Sequence, residues 1–94
     1  MSTIQKVAVI GSGVMGSGIA AQAANAGMSV VLLDIIDSDN PDRSSLARSA
    51  IARMLKTVPA PLMQPRNAKQ ITPGNIEDDL ALVSDCDLII EVVL

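Results

Sequence analysis

Residues 6–27 read KVAVIGSGVMGSGIAAQAANAG: a short apolar run, four glycines within eight residues, then an alanine-rich stretch. Each glycine costs a regular element roughly 0.5–1 kcal/mol relative to alanine, so the stretch needs a reason to carry them. A flexible linker is a poor reason. Linkers are not normally flanked by a β-branched strand pattern on one side and a helix pattern on the other. The glycines Gly11, Gly13 and Gly16 follow Gly-x-Gly-x-x-Gly spacing, directly after a predicted strand and at the opening of a predicted helix.

That placement gives each glycine a task. Gly11 permits the tight turn out of the strand. Gly13 lets a pyrophosphate approach the backbone without meeting a Cβ, and Gly16 lets the helix close on the strand. The helix N-terminus then offers unpaired N–H groups and the positive end of its dipole, an anion site that uses no basic side chain.

Working outward, the run at 4–10 reads as a strand buried on both faces of a parallel sheet. Residues 14–26 form a helix whose small residues Gly16, Ala20, Ala23, Ala24 and Gly27 make one stripe, with Gly27 as its C-terminal stop. The segment 29–34, SVVLLD, is a second strand ending in Asp34, 18 residues beyond Gly16. A polar loop leads to a second helix opening at Pro41 or Asp42 and running to about Lys56. Its apolar face is Leu46, Ala47, Ala50, Ile51 and Leu55, and Arg43, Arg48 and Arg53 face solvent. Residues 57–66 hold three of the five prolines and read as an irregular, partly extended connection, with Met54 and Met63 filling irregular apolar space. A short strand over 69–72 is expected to stop at Pro73 and Gly74. A short helical segment opening at Asn75 or Glu77 runs to about Val83, and 87–94, DLIIEVVL, is a last buried strand. Strands alternating with helices imply right-handed crossovers. The fold class is α/β, a Rossmann-type doubly wound parallel sheet, truncated, with strand order about 3-2-1-4.

Composition narrows the function. The 94 residues are 49% hydrophobic with mean hydropathy +0.41, too apolar for a disordered chain, and the apolar runs are too short to span a bilayer. Net charge is -3, and the seven Lys and Arg residues are scattered, which leaves no footprint for nucleic acid or an anionic membrane. The N-terminus lacks a signal core or an arginine-rich transit pattern, so a cytoplasmic location is expected. Cys86 has no partner for an internal disulfide and reads as a small buried thiol. There is no His, Phe, Tyr or Trp, so a general base near neutrality would need a perturbed carboxylate, Lys or Cys. No metal site is expected, and no catalytic residue within these 94.

Asp34 would accept hydrogen bonds from the two hydroxyls of an adenosine ribose. It also selects the cofactor. A 2'-phosphate would meet Asp34, with Asp37 and Asp39 nearby in sequence and no Lys or Arg before Arg43. Two unit charges ~4 Å apart repel by about 1 kcal/mol even in bulk water, which favours NAD over NADP. Glu91, an acid inside IIEVVL, lies where the last strand reaches the dinucleotide cleft; direct ligand contact and pairing with a basic side chain beneath the cleft are equally open readings. Met15 is read as packing on the sheet, and Ile35 and Ile36 as aliphatic neighbours for an adenine.

KVAVIGSGVMGSGIAAQAANAGMSVVLLD, followed by ITPGNIEDDLALVSDCDLIIEVVL, resembles the N-terminal NAD-binding domain of L-3-hydroxyacyl-CoA dehydrogenases over nearly the whole chain. The Met and Gly after the second motif glycine, the GIA that follows, and the ITP and DCDLIIE segments carry the resemblance. The proline-rich 57–66 looks more like the long bacterial multifunctional fatty-acid β-oxidation proteins that add an enoyl-CoA hydratase module. The resemblance implies that Gly11, Gly13 and Gly16 form the pyrophosphate turn with Val14 and Met15 backbone groups nearby, that Asp34 holds the ribose, and that Ile35 flanks the adenine. Glu91 would match the first acid of a family segment, and Val92 the small position on the nicotinamide side. The second acid would follow Leu94, and the catalytic His and its Glu lie further downstream in relatives. Residues 1–94 are thus expected to be the N-terminal part of a dehydrogenase acting on an acyl-CoA, with its catalytic C-terminal domain absent and an open edge strand at 87–94 that favours self-association. A non-catalytic dinucleotide-binding module and an S-adenosylmethionine-binding domain are the rival readings.

Overall fold

In a computed structural model, residues 4–56, 62 and 65–92 are described. The elements in order are β1 (Lys6–Ile10), α1 (Val14–Asn25), β2 (Ser29–Asp34), α2 (Ser45–Lys56), a 3-10 helix (Pro65–Gln70), β3 (Ile71–Asn75), a second 3-10 helix (Leu80–Asp85) and β4 (Leu88–Glu91). The four strands form one parallel sheet ordered β3-β2-β1-β4. In register, Ile10 stands opposite Leu33 on one side and Glu91 on the other.

The unbroken apolar runs of β1 and β2 make the centre of the core: Val7, Ala8, Val9 and Val30 to Leu33 are all buried. Helix α1 packs there through Gly16, Ala20, Ala21 and Ala24, whose small side chains let it lie close to the strands. It ends in a Schellman turn. Gly27 takes φ +85°, its amide donates to the Ala24 carbonyl at 3.0 Å, and the Met28 amide donates to the Ala23 carbonyl at 3.1 Å.

Five local expectations are corrected. Helix α2 opens at Ser45, not at Pro41 or Asp42, because Asp42 acts from outside it: its carboxylate accepts the Ser44 amide at 3.0 Å and Arg48 Nε at 2.7 Å. The buried face of α2 is Ser45, Ala47, Ala50 and Met54, and Leu55 is exposed. The three- and four-residue steps from Ala47 lead to Met54, which makes that methionine a core residue. Strand β3 runs through Pro73 and Gly74 to Asn75, while Lys69 belongs to the preceding 3-10 helix. A proline is tolerated there because β3 is an edge strand, with one side free of ladder partners. The last helical segment is the 3-10 helix Leu80–Asp85, since a tight turn from Asn75 to Asp79 comes first. Finally, β4 is not a buried strand: Leu88 and Ile89 are 40% and 49% exposed, and only Ile90 packs, partly buried, against the core, because β4 is an edge strand paired with β1 alone. Residues 93 and 94, and most of the irregular stretch at 57–64 including Met63, lie outside the described residues; Leu62 is buried in the core.

Candidate functional site

The sequence-predicted residues converge at the carboxyl ends of β1, β2 and β4. Gly11 leaves β1 at φ +111°, a backbone conformation L side chains rarely adopt, and its amide donates to the Leu33 carbonyl at 2.7 Å. A Cβ at Gly11 would stand 2.2 Å from the Val92 carbonyl oxygen, and one at Gly16 only 1.7 Å from the Gly11 carbonyl oxygen. Both glycines are therefore required by the protein's own backbone.

Gly13 differs. It precedes α1 with no side-chain cap, and a Cβ there would meet nothing within 4 Å. Nothing internal requires a glycine at this position, so the room is on the outer side of the turn, beside the free amides of the first turn of α1. That open cradle fits the pyrophosphate of a dinucleotide. Val14, Met15 and Ile35 rim it, 94%, 68% and 60% exposed, so Met15 does not pack on the sheet as its position in the turn suggested.

Asp34, one residue beyond the partner of Ile10, faces the turn. Its Oδ2 accepts the Ser12 amide at 2.8 Å and the Ser12 hydroxyl, and its Oδ1 accepts the Ile35 amide at 2.7 Å. Partial burial pushes its carboxyl up, but these three hydrogen bonds together outweigh it and hold Asp34 below the ordinary aspartate value of 3.8. Asp34 is thus an ionised acceptor fixed at the edge of the cradle.

On the other flank, the Val92 amide donates to the Ile10 carbonyl at 2.8 Å, which brings Val92 against Gly11. Glu91 is exposed at the end of β4, and no basic side chain pairs with it among the described residues. Of the two readings of this acid, the buried ion pair is not formed there.

Two residues of the site escaped the sequence reading. Ser12, 3% exposed, lies between two glycines and joins the turn to Asp34. Arg53 is exposed, as expected, and in addition brings its guanidinium to 3.4 Å from the Ser12 carbonyl, which also accepts the Ser17 hydroxyl at 2.8 Å. A polar residue inside Gly-x-Gly with an acid closing the next strand was the available signal for Ser12; for Arg53 there was none.

Other features lie elsewhere. The Cys86 thiol is half-buried, and its pKa is pushed up by burial. A shallow hollow between Ile4, Gln5, Lys6 and the turn Ala26 to Ser29 sits at the opposite end of the sheet. Among the described residues no cluster of His, Cys, Asp and Glu could hold a metal, and no helix is long and apolar enough to cross a membrane.

A parallel sheet ordered 3-2-1-4, a Gly-x-Gly-x-x-Gly turn opening α1 and an acid closing β2 define a dinucleotide-binding domain of the Rossmann class. More narrowly, the chain belongs to the family described as 3-hydroxyacyl-CoA dehydrogenase, NAD binding domain, whose model matches residues 6–94. A protein of Deinococcus radiodurans named as a probable 3-hydroxyacyl-CoA dehydrogenase is 50% identical over 97% of this chain and 26% of its own length. A Rickettsia felis protein named as a fatty acid oxidation complex trifunctional enzyme is 53% identical over 97% of this chain and 13% of its own. Among solved structures, 3-hydroxybutyryl-CoA dehydrogenase from Escherichia coli K12 superimposes with TM-score 0.68 at 31% identity, covering 96% of this chain and 19% of that one. FadB2 of M. tuberculosis does so with TM-score 0.71 at 31% identity, covering 99% and 32%. The chain therefore spans a third or less of the length of these proteins.

Proposed function

We propose that residues 1–94 are the NAD-binding part of an oxidoreductase that interconverts L-3-hydroxyacyl-CoA and 3-oxoacyl-CoA in fatty-acid β-oxidation, with the catalytic domain supplied from outside these residues. The observation that carries this reading is Asp34, held by Ser12 and Ile35 beside the open Gly13 cradle. The names of the relatives support the substrate class.

When bound, NAD would supply the hydride acceptor. Gly11 and Gly16 hold the turn, and Gly13 leaves room for the pyrophosphate, which the first amides of α1, at Val14 and Met15, would bind. Asp34 would take a ribose hydroxyl on Oδ1, whose second acceptor direction is free, and the exposed Ile35 side chain would flank the adenine. Glu91 and Val92 would border the nicotinamide half, since they close the other side of the Gly11 turn. The chain contains no histidine to take the proton of the substrate hydroxyl. NAD binding without turnover is the expected behaviour of these 94 residues.

Calorimetric titration with NAD, NADP and S-adenosylmethionine tests the reading. NAD alone should bind well. Tighter binding of S-adenosylmethionine would refute it, and NADP binding as tight as NAD would remove the role given to Asp34. The open edge of β4, with Leu88 and Ile89 exposed, supports self-association through this strand. Light scattering that finds a monomer at high concentration would refute that part.

A further inference from the structure

We propose that Ser12 is a positioning residue for Asp34: its buried amide and hydroxyl pin one carboxylate oxygen so that the other is presented to the ribose. The inference rests on the reading of Asp34 as the ribose acceptor.

Ser12 is 3% exposed, whereas Gly13, Val14 and Met15, which follow it, are exposed. A turn needs no hydroxyl at this position, and a buried one must find a partner. Ser12 places both of its donors on a single atom, Oδ2 of Asp34. One donor would fix a distance and leave the carboxylate free to rotate. Two donors on Oδ2, with the Ile35 amide on Oδ1 at 2.7 Å, fix the plane of the group. Each carboxylate oxygen has two acceptor directions. Those of Oδ2 are taken, and Oδ1 keeps one for a ligand hydroxyl.

Ser12 is itself anchored. Its carbonyl receives the Ser17 hydroxyl from α1 and the Arg53 guanidinium from α2. Three elements thus set the orientation of one acid before any ligand arrives, and ordering it in advance removes that cost from binding. A hydroxyl donated to a carboxylate also favours its ionised form, the form that accepts a ligand hydrogen on the remaining direction of Oδ1.

The test compares the unaltered chain with Ser12→Ala, Ser12→Cys and Asp34→Ala. Calorimetry gives the affinity for NAD, carboxyl-carbon NMR follows the titration of Asp34, and circular dichroism reports folding. Cysteine fills the space with a poor donor, so it carries the test if the alanine variant unfolds. Loss of the hydroxyl should weaken NAD binding about tenfold, the usual weight of a hydrogen bond to a charged group, and should move the Asp34 titration to higher pH. Loss of this hydrogen bond moves that titration whatever its purpose, so the titration verifies that the bond is gone and the NAD affinity decides the role: a purely structural bond would move the titration and leave the affinity of a folded variant unchanged. Folded Ser12 variants that bind NAD as well as the unaltered chain, while Asp34→Ala does not, would overturn the positioning role and leave the ribose reading standing. Full NAD affinity in folded Asp34→Ala would overturn the ribose reading itself.

Discussion

Gly16→Ala and Gly13→Ser separate a glycine kept for the fold from one kept for a ligand. An alanine Cβ at Gly16 would lie 1.7 Å from the Gly11 carbonyl oxygen, whereas real Cβ contacts are essentially not found under 3.0 Å. The obstacle is backbone, and it sits in a turn fixed on both sides by the Leu33 and Val92 bonds, so no side chain can swing away. Helix α1 must instead back off the sheet by more than 1 Å, which loosens Ala20 and Ala24 from the core. The cost should reach about 3 kcal/mol, the upper end for overpacking. Against a total of about 5–15 kcal/mol for a small domain, that is a large share. In urea it corresponds to a drop of about 2 M in the unfolding midpoint. Circular dichroism is the appropriate signal, because the chain has no Trp or Tyr to report by fluorescence. Gly13→Ser should behave in the opposite way: the Cβ meets nothing within 4 Å and serine is a good N-cap, so stability should stay within about 0.5 kcal/mol or rise. NAD affinity should nonetheless fall at least tenfold, about 1.4 kcal/mol, as the side chain fills the cradle. A Gly16→Ala midpoint near that of the unaltered chain, or full NAD binding by Gly13→Ser, would refute the division of roles.

Other perturbations test the surrounding structure. Asn75, 1% exposed, accepts the Glu77 and Asp78 amides at 3.1 and 2.7 Å and donates to Ser44 Oγ and Asp78 Oδ2, so Asn75→Ala should cost about 3 kcal/mol in urea unfolding. The Ser45 hydroxyl is buried with no hydrogen-bond partner among the described residues, so Ser45→Ala should stabilise by about 1 kcal/mol and raise the melting temperature. Because the Asp34 value is lower in the folded chain than the ordinary 3.8, its contribution to stability is fully present above that pH and is lost as pH falls through the folded value. The gap in urea midpoint between the unaltered chain and Asp34→Asn should therefore narrow below pH 4; a gap that widens there would contradict the assignment.

The sequence carried the β1-α1-β2 unit well because each signal there is redundant: continuous apolar runs, a glycine turn with fixed spacing, a small-residue stripe and a glycine stop. Where one residue had to decide, it misled. Pro73 forbids a central strand but not an edge strand, and edge position is a property of the sheet. Leu55 and Met54 are adjacent, and only the docking angle of α2 settles which is buried. The exposure of Leu88 and Ile89 depends on what covers β4, which its own apolar run does not encode. At the candidate site, spacing and strand ends named Gly11, Gly13, Gly16, Asp34 and Glu91, and the family resemblance added Val92; the structure brings all six to the same end of the sheet. Ser12 stayed hidden because a lone serine has no periodicity, and Arg53 because it reaches the turn from a helix 41 residues further along the chain.

The most direct measurement is calorimetric titration of the folded chain with NAD and with NADP under identical conditions. Binding of NAD at one site per chain, with NADP at least tenfold weaker and the difference abolished in Asp34→Ala, is the expected result. Equal affinity for the two nucleotides, or NAD binding untouched by the loss of Asp34, would contradict the assignment of this end of the sheet as an NAD site read by Asp34.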